Sequence, residues 1–115
     1  MNDLCTRSCK PCEGGIAALS PAQAQDALRH VPQWALNTEA TAISRLFTFK
    51  DYYETMAFVN AVAFISHRED HHPDLGVHFN RCEVRYTTHA ISGLSDNDFI
   101  CAAKVDALLS GLPAS

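Results

Sequence analysis

The sequence lacks any apolar run that approaches the roughly 18 residues needed to cross a bilayer. Its first 20 positions mix Asp3, Arg7, Lys10 and Glu13 and contain no signal-peptide core. We therefore expect a cytoplasmic protein with no membrane partner. A basic excess is also missing, because nine lysines and arginines stand against 13 acidic residues, for a net charge of -4. This balance gives no electrostatic reason to expect direct nucleic-acid binding.

Internal repeats, low-complexity segments and internal linkers are missing as well. The 115 residues therefore indicate one domain, since that length lies near the commonest domain size. Hydrophobic residues make up 47% of the chain and charged residues 19%, which is typical of a globular protein and argues against wholesale disorder.

A complete set of disulfides is excluded too, because five cysteines are an odd number; we expect reduced thiols. Cys5, Cys9 and Cys12 cluster near the start, where their spacing suits zinc but no fourth ligand lies nearby. The alternative is an arm with free thiols, joined through a Gly-Gly pair. We interpret residues 1–18 as a flexible cysteine-containing arm and residues 19–115 as the folded domain.

Three capping patterns predict three helices, over about residues 20–30, 51–66 and 95–110. Each begins with Ser or Asp followed three positions later by Gln, Glu or Asp. The second helix carries the longest apolar stripe at helical spacing, and one of its sides should be buried. The stripe consists of Tyr52, Met56, Val59 and Ala63, widened by Phe58, Val62 and Ile65.

Four strand-like runs lie between these helices. Residues 34–36 and 43–49 indicate one hairpin, and residues 75–79 and 82–87, which alternate apolar and polar side chains, indicate a second. The order α-β-β-α-β-β-α predicts an α+β fold, with a single four-stranded antiparallel sheet and three helices on one face. The exposed edges of so small a sheet favour a homo-oligomer. The two remaining cysteines, Cys82 and Cys101, should be buried as small hydrophobes.

The strongest chemical signal is His71-His72-Pro73, followed by His89 and Asp98. Histidine titrates near neutrality, so one imidazole can donate a proton while another accepts one at the same pH. Pro73 disfavours helical geometry at His72, which places the histidine pair in the connection after the second helix. His89 is expected at the end of the last strand and Asp98 at the start of the last helix. Three elements can therefore converge on one cleft.

Other interpretations of these residues stay open. Asp98 fits the third position of a helix cap, His89 alone fits a surface position, and His72 can end a helix by binding its last carbonyls. The three histidines and Asp98 are also acceptable zinc or iron ligands by type. Adjacent histidines on a proline-fixed loop converge less readily on one ion, however, and the HxH and HExxH arrangements are absent.

The motif series HHPD at 71–74, YTTH at 86–89 and GLSDND at 93–98 resembles that of the pterin-4a-carbinolamine dehydratases. The resemblance covers roughly Trp34 to Leu109. It implies that a small α+β subunit, assembled into dimers or tetramers, dehydrates 4a-hydroxytetrahydropterin to quinonoid dihydropterin. The reaction would need no metal or organic cofactor. A pterin-dependent hydroxylase would be the metabolic neighbour whose pterin cofactor is recycled.

The resemblance also implies which residues form the active site of the dehydratase domain. They are His71, His72, His89 and Asp98, with Pro73 fixing the loop. We expect His71 and His89 to be the acid–base pair, His72 to orient the substrate and Asp98 to orient an imidazole. One departure is visible, because the family often has an acidic residue where this chain has His67.

A different class of function is compatible with the same resemblance. Animal members of the family also act as a dimerisation cofactor for a homeodomain transcription factor. The chain is therefore compatible with a non-enzymatic binding module that stabilises a partner's oligomer through protein contacts. The complete histidine set favours the enzyme, because a pure binding module does not need it.

Overall fold

The computed structural model describes residues 4–10 and 17–110. Helices and strands follow one another in the predicted order, so the α+β fold with one four-stranded antiparallel sheet and three α-helices is confirmed. The elements are α1 (Pro21–Leu28), β1 (Ala35–Leu36), β2 (Ile43–Thr48), α2 (Tyr52–Glu69), β3 (Asp74–His78), β4 (Arg81–Tyr86) and α3 (Asp96–Ser110). Short 3₁₀ helices cover Leu4–Thr6 and His89–Ile91. Within the described residues, no helix is both long and apolar enough to span a bilayer.

The strands lie in the order β1-β2-β4-β3, so both predicted hairpins are present and β4 is a central strand. Its ladder with β2 runs from Ile43 opposite Tyr86 to Thr48 opposite Arg81. Alternate residues of β4 point to opposite faces of the sheet, and Cys82, Val84 and Tyr86 are fully buried. Tyr86, the last residue of this central strand, therefore reaches into the core at the end of the sheet where the histidines lie.

Helix α2 buries a different line of residues from the predicted one. Its buried side runs through Thr55, Phe58 and Val62, whereas Tyr52 is 47% exposed and Ala63 is exposed as well. The prediction is therefore partly wrong: of the main stripe only Val59 packs against the core, whereas Phe58 and Val62, which widen it, are buried there. Because Thr55 is polar, the sequence does not indicate that this side is buried. The Thr55 hydroxyl lies within hydrogen-bond distance of two backbone carbonyl oxygens, those of Asp51 and Phe79.

Aromatic side chains fill the space between the sheet and the helices. Trp34 packs edge-on against Phe47 and contacts Tyr86, and Phe47 contacts Phe58. The Trp34 indole N–H donates to Asp106 on α3, which joins the first hairpin to the last helix. Cys82 and Cys101 are both fully buried, as predicted. A rigid core thus supports the ends of β4 and α3, which carry the candidate site.

Candidate active site

The histidine pair lies in the connection between α2 and β3, as predicted. Helix α2 runs to Glu69 because Asp70 closes it in a left-handed conformation, with φ 51°, and donates its N–H to the carbonyl of Ser66. The His71 N–H reaches the same carbonyl at 3.2 Å. Pro73 then leads into β3. The loop is therefore anchored to the helix end on one side and to the sheet on the other.

The ring of His71 is held from two directions. Its Nε2 lies 2.6 Å from Oδ1 of Asp98, and its plane is stacked on Tyr86 with centroids 5.7 Å apart and 6° between the planes. The Asp98 side chain is fully buried and that of His71 is 13% exposed. Among the described residues Nδ1 of His71 has no hydrogen-bond partner, so it is the ring nitrogen left for proton transfer.

Asp98 is itself held by the start of α3 and by the segment after β4. Its second oxygen, Oδ2, accepts from the Thr88 hydroxyl at 2.7 Å and from the Ser95 backbone N–H at 3.0 Å. A carboxylate can only accept, so the Thr88 proton points to Asp98 and the Ser95 hydroxyl, 2.9 Å away, donates to Thr88. Asp98 thus contacts a helix N-terminus with one oxygen and an imidazole with the other, which combines two interpretations that the sequence left separate.

His89 does not lie at a strand end, and that expectation is wrong. Strand β4 ends at Tyr86, and His89 begins a 3₁₀ helix. The cause is a loop that closes on itself, because Thr88 and Gly93 exchange backbone hydrogen bonds and Ser92 adopts a left-handed conformation with φ 52°. The loop places His89 at the surface, where it borders the same opening as the His71-His72 pair.

A cavity of about 470 Å³ brings the predicted histidines together, and its volume is within the range typical of small-molecule sites. His71, His72 and His89 all line it, while Asp98 lies behind His71. His72 and His89 are exposed, and neither ring has a hydrogen-bond partner within residues 4–10 and 17–110. The cavity therefore presents one anchored imidazole and two imidazoles that are free to meet a ligand.

The N-terminal segment also lines the cavity, through Cys9 and Lys10, and sequence reasoning did not place it there. The Cys9 N–H donates to Oε1 of Glu69 at 2.9 Å, and the Lys10 N–H donates to Oδ1 of Asn97 at 3.0 Å. The Asn97 amide donates back to the Lys10 carbonyl. Lys104 donates to the Cys5 carbonyl at 2.8 Å. The flexibility of the 1–18 arm stays a prediction, and Cys12 lies outside the described residues.

The carboxylate that supports His71 is Asp98, not a residue at position 67. Glu69, the buried acidic side chain nearest to the pair in sequence, is engaged by the arm and lies 3.9 Å from Lys104. In the part of the chain that is described, no group of three or more His, Cys, Asp or Glu side chains has the arrangement to hold a metal ion. Of the four residues considered as metal ligands, His71 and Asp98 form a hydrogen-bonded pair, and His72 and His89 are two separate rings at the cavity.

The sequence model of the family described as Pterin 4 alpha carbinolamine dehydratase matches residues 17–108. This range contains His71, His72, His89 and Asp98 together with their supporting residues Thr88 and Ser95. The chain belongs to this family. The arm residues that line the cavity precede the matched range.

Relatives of this pterin dehydratase family member agree with that result. A protein of Nitrosomonas eutropha, provisionally named a pterin-4-alpha-carbinolamine dehydratase, is 61% identical over 108 residues, or 93% of this chain and 94% of the relative. A Stenotrophomonas maltophilia protein of the same provisional name is 54% identical over 110 residues, covering 96% and 95%. The crystal structure of a transcriptional coactivator/pterin dehydratase from Brucella melitensis superposes with a TM-score of 0.75 at 31% identity, covering 79% of this chain and 97% of that one.

Proposed function

We propose that this chain catalyses the dehydration of a 4a-hydroxytetrahydropterin to the quinonoid dihydropterin and water. One observation carries the proposal: three histidines border a single cavity, and one of them is anchored at 2.6 Å by a buried carboxylate. Membership of the dehydratase family supports the choice of substrate. The cavity volume of about 470 Å³ is ample for a bicyclic ring system.

The reaction needs two proton transfers at neighbouring atoms. The C4a–O bond breaks, and the hydroxyl, a poor leaving group, takes up a proton and departs as water. The N5–H bond gives up its proton, and its electron pair forms the C4a=N5 double bond. No electrons enter or leave, so histidine acid–base chemistry balances the reaction without a redox cofactor.

In this proposal His71 and His89 form the acid–base pair, and His72 orients the pterin by hydrogen bonding. Asp98 holds Nε2 of His71, so Nδ1 exchanges the proton with the substrate. Pro73 limits the freedom of the loop that carries the pair. The product returns to a tetrahydropterin by reduction, which would recycle the cofactor of an aromatic amino acid hydroxylase. The free thiols of the described cysteines support a cytoplasmic setting.

We further propose that the protein is a homodimer or homotetramer. The edge strand β3 exposes Leu75 and Val77, and the adjacent α2 exposes Phe64. Leu75 and Val77 lie opposite Val84 and Cys82 in the β-ladder, so they continue the apolar core face beyond the helices. Such edges favour association with another copy. Sedimentation should give a multiple of the monomer mass at micromolar concentration, and Val77→Lys should lower it; a monomeric wild type would contradict the proposal.

The cavity favours an enzyme over the alternative of a non-enzymatic binding module. The Brucella melitensis relative is named a coactivator as well as a dehydratase, so both activities are worth testing. A binding module gains nothing from three histidines around one opening. Folded variants without His71 and His89 would retain a partner-binding function and would lose the dehydratase function.

The test is a stopped-flow assay with freshly generated 4a-hydroxytetrahydropterin. Wild-type protein should accelerate dehydration, and His71→Ala with His89→Ala should lower the rate by at least about 100-fold, because each group contributes about 10²- to 10⁴-fold. His67→Ala is the matched control, since His67 is exposed near the end of α2 and does not line the cavity. Absence of acceleration by folded wild-type protein would overturn the proposed function.

A further inference from the structure

Two thiols that the proposed reaction does not use meet at the wall of the cavity. Sγ of Cys9, in the arm, lies 3.4 Å from Sγ of Cys101, on α3, although 92 positions separate them in the chain. Cys101 lies one turn after Asp98, the carboxylate that holds His71. The Cys9 thiol also donates to the Asn97 carbonyl at 3.7 Å, which leaves its lone pair to accept from Cys101.

The two thiols differ in their access to solvent. Cys9 is partly exposed and lines the cavity, so a small solute in the cavity can reach it. Cys101 is fully buried. The hydrogen bond to Cys9, followed by burial, raises the pKa of the Cys101 thiol, which therefore stays protonated at neutral pH. Cys9 is thus the thiol that meets an oxidant first, and Cys101 is the only other described cysteine within contact distance of it.

We propose that Cys9 and Cys101 are a redox-active pair that a small hydroperoxide converts into a disulfide. The Cys9 sulfur attacks one peroxide oxygen, the O–O bond breaks, and a sulfenic acid and the first water or alcohol are formed. The Cys101 sulfur then attacks the Cys9 sulfur, the S–O bond breaks, and water leaves with the Cys101 proton. Two thiols are oxidised while one peroxide is reduced.

The disulfide changes the wall of the cavity. An S–S bond is about 2.05 Å long, so Cys9 must move towards α3 by roughly 1.3 Å from its contact distance. Cys9 and Lys10 are held to Glu69 and Asn97 at the same wall. Oxidation therefore fixes the arm and alters substrate binding, with KM changing by about 3-fold or more and kcat remaining similar. This effect on KM rests on the proposed dehydratase function, whereas the disulfide itself does not.

The disulfide is tested on the full chain with hydrogen peroxide. Reduced protein is treated with about one equivalent, free thiols are alkylated, and the digest is analysed by mass spectrometry. We expect a chain about 2 Da lighter before alkylation, a peptide joining Cys9 to Cys101, and a Tm raised by at least about 5 °C. Either Cys9→Ala or Cys101→Ala should abolish this cross-link. Cys82→Ala, which removes a buried thiol elsewhere, should leave it intact.

A cross-link of Cys9 to Cys12 or Cys5 in place of Cys101 would overturn the proposal, as would a Cys9 oxidised beyond the sulfenic acid with Cys101 still reduced. The kinetic effect is read from KM for oxidised and reduced wild type, with recovery after dithiothreitol. Equal KM values for the oxidised and reduced protein would overturn the proposed effect of the disulfide on substrate binding. Failure of both forms to dehydrate the pterin would reject the proposed function, while the mapped cross-link would still establish the redox pair.

Discussion

The two walls of the cavity are built in different ways. In the histidine wall, comprising His71, His72 and His89, the His71 ring is held by the buried carboxylate of Asp98, which the Thr88 hydroxyl also contacts. The arm wall, comprising Cys9 and Lys10, is held through its backbone groups by side chains of the domain. The first lies inside the range that the family model matches and the second lies before it. The proposed acid–base residues therefore all lie within the matched domain, and we expect the arm to shape access to them.

This difference separates the expected effects of mutation. A buried charge with three hydrogen bonds is sensitive to the loss of any partner, because no water is available to replace it. The backbone contacts of the arm are only partly buried, so water replaces them at smaller cost. Changes in the histidine wall should lower kcat, and changes in the arm wall should raise KM. The following variants are ordered from the largest expected effect to the smallest.

Asp98→Asn should lower kcat by about 100-fold with little change in Tm. The amide oxygen can still accept from Thr88 and Ser95, so the network stays satisfied. The amide N–H₂ then faces Nε2 of His71, which forces the proton onto Nδ1 and blocks one direction of transfer. Stopped-flow rates and a thermal melt check this prediction. A folded variant with a kcat within 3-fold of wild type would show that Asp98 does not orient His71 for catalysis.

Thr88→Val should destabilise the fold by about 1–3 kcal/mol and lower kcat by about 10-fold. Valine has the same shape but removes the donor to Asp98 and the acceptor for Ser95. Thr88→Ser keeps the hydroxyl and serves as the control, with a kcat close to wild type. Chemical denaturation and steady-state kinetics provide the two readouts. Equal behaviour of the valine and serine variants would argue against a role for the hydroxyl.

Asn97→Ala should raise KM by about 5-fold, leave kcat within 2-fold and cost about 1–2 kcal/mol of stability. The change removes both hydrogen bonds that join Lys10 to α3. Asn60→Ala is the matched control, because Asn60 is exposed on α2. Initial rates over a range of pterin concentrations separate KM from kcat. A loss of kcat with unchanged KM would mean that the arm wall takes part in the chemistry.

Lys104→Met should have the smallest effect, with KM raised by less than about 3-fold and stability lowered by about 0.5–1 kcal/mol. Methionine keeps the apolar stem but removes the donor to the Cys5 carbonyl and the charge near Glu69. Amide hydrogen exchange should be faster in residues 4–10 than in wild type. Unchanged exchange there would show that the contact does not hold the arm.

Most of the fold could be predicted from local signals. The capping residues Ser20 and Asp51 begin α1 and α2 as expected, and the alternation in β3 and β4 identifies their hairpin. The sequence predicts the end of α2 too early, because Asp70 adopts the left-handed cap conformation that glycine usually provides. The sequence does not predict the loop after β4 that carries His89, because the Thr88–Gly93 pairing is local and leaves no periodic pattern.

The candidate site was predictable where several titratable residues occur close together in the sequence. Three histidines and Asp98 are visible in this way, and the S-x-x-D pattern also indicates the contact of Asp98 with Ser95. Contacts between distant positions have no such signal. The stack of His71 on Tyr86 and the pairing of Lys10 with Asn97 depend on how α2, β4 and α3 pack together.

The most direct test of the account is a pair of double-mutant cycles measured by steady-state dehydration kinetics. His71→Ala combined with Asp98→Asn should be no slower than His71→Ala alone, because the two residues act as one unit. His71→Ala combined with Asn97→Ala should show the kcat of the first and the KM of the second, because the two walls act independently. Losses of kcat that multiply in the first cycle, or a loss of kcat added by Asn97→Ala in the second, would contradict the separation of the two walls.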